Sequence, residues 1–288
     1  MNPRTSLKVM ISLMLFPSLI CLFIPSDTIA SVYTMIMLPL ALLIGAVLSL
    51  RVASMYKGEL HRAFIFLALF LFLMMLALMM LAYMKLANID YFSNLLSRDI
   101  GELNPMFVLF MQWTTYAMLV IYSFYILKVT ELREIDIKGW IAIIAVLFFG
   151  IIIVLYRVPS LLQQIFVFHD ADVYTISLLL IRLLDVAIVI MLVPVVILYA
   201  KQMRLEGRES ITLTTITCGI ILSLTAAYIY EIVSGVPLYV VSHAVYLTGS
   251  PLDALYLFSY LIIAVGLYVH KKYDEWGFQM IEKALAGG

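Results

Sequence analysis

Residues 173–200 read VYTISLLLIRLLDVAIVIMLVPVVILYA, a run with two charged residues, Arg182 and Asp185. A helix needs about 20 mostly apolar residues to cross a bilayer. This run is long enough, and it has no alternation of apolar and polar positions that would suit a barrel strand. In hydrocarbon every backbone N–H and C=O must be satisfied within the segment, so the run is expected to be a helix. Working outward, comparable runs lie at approximately 8–25, 30–50, 63–85, 105–128, 139–157, 211–231 and 252–270. The expected fold is therefore all-α, an integral membrane bundle of about eight transmembrane helices over residues 1–270. Residues 271–288 follow as a short cytoplasmic amphipathic tail.

Composition agrees. Of the 288 residues 65% are hydrophobic and 12% charged, and the mean hydropathy is +1.09. Soluble domains carry roughly 25% charged residues, so a water-soluble globule would lack the charge to solvate its surface. Lys and Arg together number 18, as do Asp and Glu, for a formal net charge of zero. That balance offers no field for nucleic acid, which is excluded as a partner. Cys21 and Cys218 both lie in apolar runs and form neither a disulfide framework nor a zinc spacing.

Basic residues orient the chain. With the N-terminus inside, fourteen Lys and Arg fall in cytoplasmic segments and three (Lys85, Arg98 and Arg157) in outer ones. This is the bias expected of short loops, and eight spans also return the C-terminus to the cytoplasm. The first run has features of a signal peptide, with Arg4 and Lys8 ahead of it and Thr28-Ile29-Ala30 as a cleavage site. Its apolar stretch is long for that role, and cleavage would put the new N-terminus outside, so a true span is expected. The outer segments 88–104 and 160–170 carry apolar residues at helical spacing, which suits short helices on the membrane surface.

Arg182 and Asp185 are the first candidate functional residues. Counted from Val173 at about 1.5 Å per residue, Asp185 lies roughly 18 Å deep, near the middle of a core about 30 Å thick. Ionisable groups at that depth face the bundle interior and mark ligand or ion sites. At i, i+3 the two share a face and can pair, so a structural salt bridge accounts for them equally well. Glu231, His243 and Asp253 form the second candidate, a ligand site at the outer mouth where the last two spans and their loop meet. The plainer reading there is an interfacial aromatic belt with ordinary carboxylates, Asp253 favouring a helix dipole.

Other chemistries lack their residues. The Met-rich third run has no Cys or His among its thioethers and reads as flexible packing. His61, His169, His243 and His270 include no pair at ligand spacing on one helix, which argues against a haem bundle and a metal site. No HExxH, GxSxG or Walker loop occurs, and no Lys stands mid-span in the last helix for a retinal Schiff base. No cofactor is expected. In the tail, Trp276, Met280, Ile281, Ala284 and Leu285 share a face, suited to the inner leaflet or to a cytoplasmic or membrane protein partner.

Three landmarks in the last hundred residues carry a family likeness. They are IRLLDVAIVIMLVPVVILYAKQMRLEGRES, ITLTTITCGIILSLTAAYIYEI and YLTGSPLDALYLFSYLIIAVGLY. Together, over 173–270, they resemble the multi-span sensory input regions of bacterial and archaeal signalling proteins, which feed PAS, histidine-kinase or diguanylate-cyclase output domains. On this likeness Asp185 matches the central acid and Asp253 the acid of the Gly-Ser-x-x-Asp turn, while Glu231 stands near a position often held by Asp. It implies a prokaryotic cell-membrane sensor. With no output domain after Gly288, such a sensor is expected to signal through a separate partner. The expected function is a non-catalytic sensor or accessory subunit of a membrane complex. The alternative is a small-solute or ion transporter lined by Arg182 and Asp185, against which stands the lack of a visible repeat between 1–135 and 136–288.

Overall fold

The computed structural model describes residues 12, 15–24, 27–86, 105–130, 135–155, 158–167, 173–202, 208–234 and 251–276. Every element among them is helical. After a helical stretch at 15–23 come α1 (Asp27–Ala53), α2 (Glu59–Leu86), α3 (Pro105–Val129), α4 (Ile137–Leu155), α5 (Val158–Phe166), α6 (Val173–Gln202), α7 (Arg208–Ser234) and α8 (Pro251–Trp276). Local chemistry marks several helix ends. Pro105 and Pro251 occupy first positions, where a missing N–H costs nothing. Asp136 caps α4, its Oδ1 accepting from the Gly139 N–H at 3.0 Å. Glu59 and Asp253 stand in first turns and Arg51 and Lys128 in last turns, each suited to the helix dipole. The α1–α2 turn closes through Gly58 at φ 72°, a left-handed conformation that favours glycine. Helix α6 runs through Pro194 as one element.

Six helices close into a ring. Around it α1 packs on α2, α2 on α3, α3 on α6, α6 on α7, α7 on α8, and α8 back on α1. One continuous core fills the ring, to which all six contribute, among them Leu38, Phe64, Tyr122, Ile188, Ile216 and Leu257. Helix α4 stands outside, packed on α6 through Ile143, Val193 and Leu198, and α5 lies against α4 and α6. The outward side of α4 leaves Ile137, Ile141, Ile144 and Phe148 each more than 60% exposed. In water such a face would be an aggregation hazard; against lipid tails it is ordinary.

Four helical stretches are long and apolar enough to cross a membrane: Ile29–Ala53, Glu59–Met80, Leu179–Tyr199 and Leu252–Lys272. They fall within the expected runs 30–50, 63–85, 173–200 and 252–270 to within a few residues. The apolar stretches Trp113–Val129, Ile137–Phe148 and Ser210–Ala226 are shorter among the described residues. A short helix is present where one was expected at 160–170, as α5, which begins two residues early. The one expected at 88–104 lies outside the described residues. The last helix continues past residue 270 into the expected tail, as far as Trp276.

Candidate functional site: polar groups inside the helix ring

Two core-facing stripes organise the buried polar groups. On α8 the stripe is Asp253, Tyr256, Tyr260, Ile263, Leu267 and His270, spaced three and four residues apart, and all six are buried. This is the repeat of a helix seam that meets its neighbours along its whole length. The core residues between are apolar or aromatic, and a titratable residue stands at each end. On α6 the stripe is Ile181, Asp185, Ile188, Leu192, Val195 and Tyr199, all buried. Asp185 is 1% exposed, so the acid expected near mid-membrane sits on the ring side of its helix. Arg182 belongs to α6 three residues earlier, and its side chain lies outside the described residues.

At the N-terminal end of the α8 stripe Asp253 is 0% exposed. It lies near the thiol of Cys21 from the 15–23 helical stretch, and Cys21 lies near Tyr33 of α1. The Tyr33 hydroxyl donates to the Pro17 carbonyl at 2.8 Å, tying that stretch to α1. Ser18, Ser31 and Thr34 are buried on the same two segments, with Thr34 donating to the Ser31 carbonyl at 2.9 Å. Asp253 is therefore an interior group, near a thiol. Of its expected partners, Glu231 lies in α7 with a side chain outside the described residues, and His243 falls wholly outside them.

The C-terminal end of the same stripe holds a site whose partners are distant along the chain. His270 is 1% exposed. Its Nε2 is 2.8 Å from the Tyr56 hydroxyl in the α1–α2 turn, and its Nδ1 is 2.7 Å from the Thr212 hydroxyl on α7. Either hydroxyl can donate or accept, so both ring nitrogens are satisfied whichever carries the proton. The rings of Tyr56 and Phe64 pack against the imidazole, with centroids 5.4 and 6.0 Å away. One side chain thus joins α8, α7, the α1–α2 turn and the first turns of α2. The turn is braced further by His61, whose Nδ1 is 2.8 Å from the Ala53 carbonyl, and by Ser49, which donates to the Phe64 carbonyl at 2.7 Å. Nearby on the surface, Glu59 bridges Lys128 at 2.7 Å and Arg62 at 3.8 Å, linking α2 to α3.

The seam between α7 and α8 is close. A side-chain carbon at Gly219 would stand 2.6 Å from Ile263 Cγ1 and 2.8 Å from the Ser259 carbonyl oxygen. One at Gly266 would stand 2.9 Å from Thr215 Cβ. The two helices meet almost backbone to backbone there, as small residues allow in membrane bundles. Among the described residues no three His, Cys, Asp or Glu side chains gather in a way that could hold a metal ion. Compared with known protein families, curated proteins and solved structures, the chain matches none.

Proposed function

We infer that the chain is an integral membrane protein of eight spans with both termini on the cytoplasmic side, acting as a non-catalytic sensor or accessory subunit. The observation that carries this is the pair of buried carboxylates, Asp185 and Asp253, on the core-facing stripes of α6 and α8. A carboxylate inside a bilayer is expensive and responds to whatever neutralises or pairs it. Asp253 sits near the outer mouth of a helix that reaches the cytoplasmic side at His270 and continues to Trp276. A change in the charge or partners of Asp253 would shift how α8 seats in the ring, and the inner end of the same helix would report it to a partner through the tail. The lipid bilayer is the standing partner.

Fluorescent labels at Lys57 and Trp276, in lipid nanodiscs, test this. The inner-face distance should change between wild type and Asp253→Asn, and should follow outside pH in the wild type alone. An unchanged distance in both comparisons would remove the sensor reading.

One observation favours a second reading, a proton or small-ion transporter. Asp253 and His270 are buried at the two ends of the α8 stripe, and Asp185 is buried on the α6 stripe of the same ring. Proteoliposomes loaded with a pH-sensitive dye separate the two. A sensor leaves proton leak at the level of empty vesicles, whereas a transporter raises it and loses the gain in Asp185→Asn.

A further inference from the structure

We propose that the helical stretch at 15–23 is a hinged lid over Asp253, hung from Ile24 and held shut by the hydrogen bond from Tyr33 to Pro17. The reading above makes Asp253 the responsive group, and the lid is the part that governs access to it. Its test reads exposure alone, so either can fail without the other.

The argument starts from how the stretch is seated. Ser18 and Cys21 are buried and stand three residues apart, on one face of the stretch. Leu15, Phe16, Leu19, Leu22 and Phe23 are exposed. The stretch thus turns its small polar groups toward the protein and its large apolar ones away. Among the described residues none of it enters the apolar core, whereas α1 and α8 both do. Lipid tails are as apolar as leucine, so these outward side chains lose nothing when the stretch lifts. Its holds are polar instead. The Tyr33 hydroxyl of α1 donates to the Pro17 carbonyl at 2.8 Å, and Cys21 sits near both Tyr33 and Asp253. A segment with little apolar burial belongs to the part of a fold that opens most readily.

The joint is written in the sequence. Pro25 disfavours helical backbone at the residue before it, and Ile24 is the residue at which the helix stops. Helix α1 starts at Asp27 as a separate element. The stretch can therefore swing without unwinding α1.

The group beneath is out of place for its position. Asp253 stands in the first turn of α8, where a carboxylate ordinarily meets water, yet it is fully buried. Cys21, beside it, is buried as well. A charged group kept from water is costly unless it is paired. Lifting the stretch uncovers both side chains together and lets water or a small cation reach the carboxylate.

Chemical labelling in nanodiscs tests the lid, since both faces of the bilayer then meet the reagents. Cys218→Ser leaves Cys21 as the only thiol. A maleimide reads Cys21, and a water-soluble carbodiimide with an amine reads the carboxyls, each mapped by peptide. Adding Tyr33→Phe should speed labelling of both Cys21 and Asp253 by about two- to tenfold, the factor one net hydrogen bond is worth. Asp185 should stay as slow as before. A second measurement keeps Tyr33. Protein captured through a biotin-maleimide on Cys21 carries an adduct too large to reseat, so its Asp253 should react several-fold faster than that of unmodified protein. Faster labelling of Cys21 with Asp253 unchanged, in either experiment, overturns the proposal. So do unchanged rates at both residues in Tyr33→Phe, and so does a rise that Asp185 shares.

Discussion

His270 joins three parts of the ring, so its removal should be felt by all of them. His270→Ala leaves the Thr212 and Tyr56 hydroxyls without their imidazole partner and opens a hole beside Phe64. Together these should cost about 2–4 kcal/mol. The change should appear as a lowered melting temperature in nanodiscs, while His61→Ala, which gives up one contact to the Ala53 carbonyl, should move it less. Asp185 supports a second prediction at this scale. If Arg182 is its charge partner, Asp185→Ala leaves a lone cation in the membrane interior and should destabilise more than the Arg182→Ala, Asp185→Ala double variant. A double variant that melts lower than the single removes the mutual pairing. That Asp185 lies well inside a long apolar helix could be read from residues 173–200 alone. The role of His270 could not. Its partners lie 214 and 58 residues away along the chain, and no local period announces a contact made at that range. The Thr-rich start of α7 was equally silent, since a threonine in an apolar helix ordinarily bonds its own backbone. Only the fold shows that the buried Thr214 hydroxyl lacks such a bond.

Helices α7 and α8 approach at Gly219 and Gly266, and this seam makes a prediction about elements. A methyl group at Gly219 meets the Ser259 carbonyl oxygen, which belongs to a helix backbone and cannot rotate aside. Gly219→Ala should therefore push the helices apart and destabilise by about 1–3 kcal/mol. Gly45→Ala is the internal comparison. Its added carbon meets only the terminal methyl of Leu71, 3.1 Å away, which can shift. Its melting temperature should stay near that of the wild type, and a reversed order of the two variants would contradict the packing described. The apolar runs mark where the helices lie to within a few residues, because lipid imposes a minimum length and composition. Which helices are neighbours was not legible. Every helix of the ring is apolar on most sides, so no face of α1 or α7 declares α8 as its neighbour. The core stripe of α8 is the partial exception. Asp253, Tyr256, Tyr260 and Ile263 recur at seam spacing, and continuing that count would have reached His270.

For the whole molecule, the proposed eight-span topology predicts that reporters at Lys57 and Gly288 read inside and one at Ser93 outside. An outward-facing reporter at Gly288 would sink the eight-span arrangement with the N-terminus inside. The ring order has another consequence, which concerns how the protein is made. Helices α1 and α2 leave the ribosome first, yet Tyr56 finds His270 only after the rest of the chain has been synthesised. Until α8 enters the bilayer the ring is open between α7 and α1. The edge left bare includes Thr212 and the Gly219 side of α7. A nascent chain in that state carries small polar groups toward lipid from the insertion of α7 until α8 follows. It is then a natural client for an insertase or membrane chaperone that shields α1 and α7 until the final helix arrives. Stalling translation just before residue 251 should trap that complex, and release of the last helix should dissolve it.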